Sequence, residues 1–155
     1  MIFQIIVGLA LVASSYQRSE SEIRAWFFSQ AAECTTEHPI EPNEMQMMKN
    51  HKIPDSDNAK CLMACVYRRA SWLDDKGLFD VNKANEQMEK EFKDDPKKLE
   101  NSKLVFDICK SVNEVAVNDG EKGCDRAYHI SKCLTENAAK VCLEPFCPFL
   151  LIILH

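Results

Sequence analysis

Residues 56–69 of the sequence, SDNAKCLMACVYRR, place two cysteines four positions apart in a segment with the apolar spacing of a helix. In a helix the Cβ atoms of Cys61 and Cys65 would lie roughly 5–6 Å apart, whereas a disulfide needs a Cβ–Cβ distance of about 3.8 Å. A bridge between them would also constrain almost nothing, because the helix already fixes that turn. We therefore expect each cysteine to pair with a different neighbouring helix.

The chain has eight cysteines, and the first six follow a distinct spacing. The gaps between them are 26, 3, 43, 14 and 8 residues, counted along Cys34, Cys61, Cys65, Cys109, Cys124 and Cys133. Six cysteines allow 15 pairings. Helix geometry disfavours the Cys61–Cys65 pairing and leaves the others open.

The rest of the chain has helical periodicity and no strand pattern. Only four glycines occur in 155 residues, which argues against a turn-rich all-β fold. Capping residues, prolines and apolar spacing together predict an all-α fold, a compact six-helix, disulfide-linked domain. The predicted helices run from about Glu20 to Cys34, over a short segment with Met45, Met47 and Met48, from Ser56–Asn58 past Cys65, from Asp80 to about Phe92, from Pro96 to about Val117, and from about Cys124 to Ala139.

The N-terminus has the pattern of a secretory leader. Ile2 to Ala13 contains no charged residue and is too short to span a bilayer, which takes roughly 20 residues. Ala13 and Ser15 are small residues at the −3 and −1 positions of a cleavage site before Tyr16. A buried core helix is the alternative, but an oxidising compartment also explains the eight cysteines. We predict a signal peptide over residues 1–15, a helical domain over 16–140 and an apolar tail over 141–155 of a secreted, extracellular protein.

The six-cysteine spacing, with C-x3-C in one helix and C-x8-C in the last, resembles that of the insect odorant-binding and pheromone-binding protein family. The Ile53-Pro54-Asp55 loop and the Leu78-Phe79-Asp80 stretch add to the resemblance, which extends from about Glu20 to Asn137. The family pairs its first cysteine with the third, the second with the fifth and the fourth with the sixth. The resemblance therefore implies three disulfides, Cys34–Cys65, Cys61–Cys124 and Cys109–Cys133.

The resemblance also implies a function, a carrier that binds small hydrophobic ligands such as odorants or pheromones and transports them through extracellular fluid without a cofactor. Six short helices tied by three interlocked bridges can enclose an apolar pocket without collapsing. Alignment from the nearest cysteine implies a set of ligand-binding wall positions, for each of which ordinary core packing is the alternative. They are Phe27, Met47, Met48, Met63, Tyr67, Trp72, Phe79, Phe106, Ile130 and Leu134. Tyr67 would be the polar handle, because a buried phenol needs a partner.

The sequence gives little support for an enzyme, a zinc protein or a nucleic-acid-binding protein. His129 lies between two cysteines as in secreted phospholipases, but the chain lacks their adjacent Cys-Cys pair and their Gly-rich calcium loop. It also has no G-x-S-x-G or H-E-x-x-H motif, so we predict that it is not an enzyme. The absence of a C-x2-C pair argues against a zinc site, and a net charge of −5 without a basic block argues against nucleic-acid binding.

Two alternatives to an olfactory carrier stay open. One is a lipid or hormone carrier of the same fold that serves another tissue, and the other is an extracellular interaction protein that docks through its apolar tail. A chemosensory receptor is a candidate partner of the carrier. We expect a monomer or a weak homodimer, without stable membrane insertion.

Many members of the resembled family release their ligand in acid, through histidines before the fourth helix and just before the fourth cysteine. The matching positions in this chain are Asp80, Val81 and Asp107, so the sequence departs from that switch. Other histidines remain and titrate near neutrality, at His38, His51 and His129. We therefore expect ligand affinity to depend weakly on pH between 7 and 5.

The tail from Val141 to His155 carries Cys142 and Cys147 beyond the six-cysteine pattern, followed by an uncharged run from Pro148 to Leu154. It is too short for a membrane span and near or below the usual length of a glycolipid-anchor signal. We expect its apolar side chains to fold back against the helices or to plug the pocket mouth. The two cysteines close a fourth bridge, or stay free and link two chains.

The first testable prediction is that Cys142 and Cys147 form a local disulfide, because an even cysteine count in a secreted chain usually leaves no thiol unpaired. Intact mass measured before and after thiol labelling of the native monomer should show no added label. Two labelled thiols in that monomer would exclude the fourth bridge.

Overall fold

The computed structural model describes residues 18–141, in which the backbone forms six α-helices and two short 3₁₀ turns and no extended strand. The all-α fold is confirmed. The predicted leader over residues 1–15, Cys142, Cys147 and the rest of the tail lie outside the described residues. The helices are α1 (Glu20–Cys34), α2 (Pro42–Lys49), α3 (Asp57–Arg69), α4 (Val81–Glu91), α5 (Pro96–Cys109) and α6 (Cys124–Val141).

Side-chain caps determine where four of these helices begin. The Ser19 hydroxyl accepts from the backbone N–H of Glu22, whose carboxylate accepts from the backbone N–H of Ser19 at 2.6 Å. Each cap satisfies a backbone donor that has no partner inside the helix. Equivalent single caps open α3, α4 and α5, and their residues are Ser56, Asp80 and Asp95.

Three disulfides join the helices in the pairing that the resemblance implies. Cys34–Cys65 joins α1 to α3, Cys61–Cys124 joins α3 to α6, and Cys109–Cys133 joins α5 to α6. The expectation that Cys61 and Cys65 reach different helices is confirmed. Helix α3 is thereby linked to α6 through Cys61 and, one turn later, to α1 through Cys65.

Within the described residues, the most extensive packing between two helices is that of α3 against α6, and α5 packs against both α4 and α6. Helix α5 ends at Cys109, eight residues before the predicted end at Val117, and a 3₁₀ turn follows it over Lys110–Glu114. The buried guanidinium of Arg126 on α6 donates to the carbonyls of Val112 and Val115, the latter at 2.8 Å. These bonds hold the chain in a tighter, non-α path after Cys109. Two of the apolar residues of the predicted helix are exposed, Val115 at 40% and Ile108 at 41%.

Two loops approach each other closely where Gly77, after α3, meets the segment before α6. A Cβ atom on Gly77 would lie 2.8 Å from the carbonyl oxygen of Gly120 and 3.2 Å from the Cα of Gly123. The φ angle of Gly77 is +73°, a conformation that costs other residues energy. Gly120 has a φ of +58°, but a Cβ there would meet no atom within 4 Å.

The two glycines therefore make a matched pair for a stability measurement. Gly120→Ala should lower the free energy of unfolding by the left-handed backbone strain alone, about 1–2 kcal/mol. Gly77→Ala adds a backbone clash and should cost about 1–3 kcal/mol more. Chemical denaturation of both variants measures the difference, and equal losses would show that the loop contact is looser than described.

Candidate functional site

A cavity of about 220 Å³ lies between α1, α2 and α3 and is partly open to solvent. Almost all of its lining surface is apolar. Within the described part of the chain, α4, α5 and α6 contribute no lining residue. Ligand pockets usually measure about 300–1,000 Å³, so a chain-like ligand would also occupy the open side.

One face of α3 forms the floor of the cavity, with Leu62, Met63, Val66 and Tyr67. Leu62 and Val66 are one helical turn apart, as are Met63 and Tyr67, and all four side chains are buried. The neighbouring residue Cys65 is bonded to Cys34 at the end of α1. The disulfide therefore fixes α1 beside the floor and prevents the two helices from separating.

Helix α1 forms one wall, in which two aromatic rings flank small side chains. The Phe27 ring is buried, whereas the Phe28 ring is 63% exposed and reaches the open side. Ala31 and Ala32 leave space that larger side chains would fill. The α1 residues on the lining are Arg24, Phe27, Phe28, Ala31, Ala32 and Thr35.

Helix α2 and the residue Ile40 before it form the opposite wall. No residue of α2 is fully buried. Its start is fixed by its own residues, because Pro42 begins the helix and the backbone N–H of Glu41 donates to the Glu44 carboxylate at 2.9 Å. Its lining residues include Met45 and Met48, whose flexible side chains can adjust to a ligand, together with Lys49.

Tyr67 is the only buried phenol on the cavity lining, and its hydroxyl already has a partner. The Tyr67 oxygen lies 2.8 Å from the Ser131 hydroxyl of α6, and Ser131 in turn lies 2.9 Å from the Ala127 carbonyl. The Ala127 carbonyl can only accept, so Ser131 can donate its single proton there and accept from the Tyr67 hydroxyl; the Met63 sulfur lies 2.9 Å from the same Ser131 oxygen. Burial raises the pKa of Tyr67 to about 12. A role as polar handle would therefore use the remaining acceptor capacity of the phenol oxygen and stays a prediction.

Four of the ten positions predicted to bind ligand line this cavity, namely Phe27, Met48, Met63 and Tyr67. Five others are buried in the core and are not on the lining, although the Trp72 ring lies directly behind it, 5.6 Å from the Phe27 ring and 5.7 Å from the Tyr67 ring. Met47 is half-buried on α2 but is not on the lining. The five core positions are Trp72, Phe79, Phe106, Ile130 and Leu134. Ligand contact stays a prediction for all ten.

Sequence reasoning missed several lining residues, and their spacing could have revealed some of them. On α1, Arg24, Phe28, Ala31 and Thr35 follow one another at helical intervals of three or four, as a second stripe beside the buried one. On α3, Leu62 and Val66 repeat the spacing of Met63 and Tyr67 one position earlier. Ala32, Ile40, Met45 and Lys49 have no comparable signal, because they reach the cavity only through the placement of α1 and α2.

Two kinds of side chain are missing from the described lining, since it includes no histidine and no carboxylate. No group of three or more potential metal ligands occurs among residues 18–141. His129 lies on α6, where partial burial lowers its pKa. Across the same described range, every helix is too short or too polar to cross a membrane. The described lining therefore offers a mainly apolar surface.

Comparison with known proteins gives consistent matches. The sequence matches the PBP/GOBP family over residues 17–137. General odorant-binding protein 19d of Drosophila melanogaster is 25% identical over 141 residues, which is 90% of this chain and 91% of that protein. General odorant-binding protein 28a of the same species is 25% identical over 138 residues, 88% of this chain and 93% of that protein. The solved structure of odorant-binding protein dmelOBP28a from Drosophila melanogaster aligns with a TM-score of 0.62 and 26% identity, over 79% of this chain and 97% of that one.

The lining predicts that affinity for a neutral ligand changes less than about threefold between pH 7 and pH 5, because none of the side-chain types that usually titrate in this range faces the cavity. Affinity for a long-chain alcohol, measured at both pH values, tests this. A tenfold loss in acid that disappears on mutation of His38, His51 or His129 would contradict it.

Folding stability should respond to pH separately from affinity. Burial, the largest cause, lowers the pKa of His129 in the folded chain, so the unfolded chain takes up a proton first as the pH falls. The contribution of His129 to stability is therefore present above the ordinary histidine pKa and is lost below it. His129→Asn should flatten this dependence and leave ligand affinity unchanged.

Proposed function

This chain belongs to the PBP/GOBP family, and we propose that it is a secreted carrier that binds small hydrophobic ligands in the cavity between α1, α2 and α3. The carrier would take up odorants, pheromones or similar apolar molecules and move them through extracellular fluid. The observation that carries the proposal is the almost wholly apolar cavity, floored by α3 and bordered by the Cys34–Cys65 bridge.

The energetics of such a cavity suit reversible transport. Each methylene group moved from water into an apolar site contributes about 0.8 kcal/mol, so ten of them contribute about 8 kcal/mol. That figure corresponds to a dissociation constant in the micromolar range. The freedom of motion that the ligand loses on binding reduces this free energy, and further contacts with the protein restore part of it. The carrier therefore needs few polar contacts to hold its ligand, and it can release it again.

Features outside the cavity support secretion. Three disulfides join the helices, and such bridges persist in oxidising compartments. The leader pattern ending at Ser15 points the same way. The names of the Drosophila relatives describe binding proteins, which agrees with a role in carriage and not in catalysis.

The fifth prediction is that neutral ligands of about 10–16 carbons displace a fluorescent apolar probe with micromolar affinity, as methylene burial implies. Ala31→Phe should weaken the binding at least about tenfold, because the added ring occupies part of the cavity. Ala25→Phe is the matched control, since Ala25 lies on the same helix, is exposed and is not on the lining.

Thermal unfolding of both variants verifies that they fold. If a broad ligand panel fails to displace the probe from the unmodified protein, the carrier proposal is wrong. If Ala31→Phe binds as well as Ala25→Phe, the ligand occupies another place.

A further inference from the structure

The charged groups on the cavity lining all have the same sign. Among the described residues, the lining contains two cations, Arg24 and Lys49, and no carboxylate. Its two hydroxyl residues already have hydrogen-bond partners, because Thr35 donates to the Ala32 carbonyl at 2.7 Å and the Tyr67 hydroxyl pairs with Ser131. Deepening the carrier function proposed above, on which this inference rests, we propose that the preferred ligand is an amphipathic anion. Its apolar chain lies in the cavity and its carboxylate headgroup lies at the rim between Arg24 and Lys49.

The two cations come from opposite walls. Arg24 lies one turn before Phe28 on the α1 stripe that lines the cavity, and both residues are exposed. Lys49 is the last residue of α2 and follows the lining residues Met45 and Met48. An extended ligand with its chain on the α3 floor would therefore pass between a guanidinium on one side and an ammonium on the other.

Neither cation is engaged by another described residue. None of the ion pairs found within residues 18–141 includes Arg24 or Lys49. The carboxylates closest to them in sequence have other partners. Glu20 pairs with Lys98, Glu22 caps the start of α1, and Glu44 accepts from the backbone N–H of Glu41.

The charge at the rim also differs in sign from the net charge of the whole protein. The full chain has 24 acidic and 19 basic residues and a net charge of −5, so a lining with two cations and no acid is a local reversal. A headgroup that stays at the rim keeps much of its hydration, which avoids the large cost of burying an unpaired charge. Exposed ion pairs are individually weak, and we expect the two together to favour an anion by about three- to tenfold.

A different result is expected if Arg24 and Lys49 have only a structural role. Long cationic side chains often cover apolar surface with their methylene stems while the charge points into water. If Arg24 and Lys49 only cover the mouth in this way, neutral and anionic ligands of equal length should bind alike. Ligand charge therefore separates the two interpretations.

The experiment compares dodecanoic acid, methyl dodecanoate, 1-dodecanol and dodecylamine in displacing a neutral fluorescent probe at pH 7. We expect the acid to bind about three- to tenfold more tightly than the ester and the alcohol, and the amine to bind more weakly than both. Added salt should reduce the preference for the acid, because it screens exposed charges.

A double variant, Arg24→Gln with Lys49→Gln, should abolish the preference for the acid, measured as the ratio of its affinity to that of the alcohol for the same variant. The control is Lys97→Gln with Lys140→Gln, which removes the same net charge at exposed positions that are not on the lining. This control variant should still bind the acid more tightly than the alcohol.

Equal binding of acid and ester to the unmodified protein, or a preference for the acid that survives in the double variant, would overturn the anion proposal while leaving the carrier function intact. Failure of all four ligands to displace the probe would instead reject the carrier function, and the anion proposal with it.

Discussion

Two disulfides leave neighbouring turns of one helix in different directions, and the rest of the structure depends on that constraint. Cys61 and Cys65 both lie on α3, yet one is bonded to α6 and the other to α1. Neither helix can move away from α3 without breaking a covalent bond. In the chain-entropy account each bridge also removes about 3–4 kcal/mol of freedom from the unfolded chain. Helix α3 is therefore the element against which the other helices are positioned.

Helix α3 faces two different environments, a closely packed one and a partly empty one. Toward α6 the space is filled by close packing, to which α6 contributes the fully buried side chains of Ile130 and Leu134. Toward α1 and α2 the space stays partly empty, because α1 offers Ala31 and Ala32 and because α2 has no buried residue. An apolar core normally contracts until it is filled. Here the cavity remains at the side where the covering helix is short.

In the proposed carrier, the two sides of the cavity would have different roles. The lining residues Phe27 and Tyr67 belong to the same buried cluster as Trp72 and Phe106, so the inner side of the cavity also contributes to stability. Met45 and Met48 on the outer wall can change rotamer as different ligands enter. Under the anion proposal, the exposed cations Arg24 and Lys49 would meet the ligand at the rim, and charge at such a position influences both entry and selectivity.

The sequence by itself determined the helices that have strong local signals. The Ser19 cap and the apolar stripe behind it predict α1 with its observed ends, and the six-cysteine spacing, through its resemblance, predicts all three bridges. The end of α5 was not predictable, because it depends on carbonyl contacts with Arg126, a residue of another helix. The location of the cavity was also decided only in the tertiary structure. Phe27 and Phe106 are both buried aromatic residues near a cysteine, and only the packing of helices around each one determines whether empty space lies beside it.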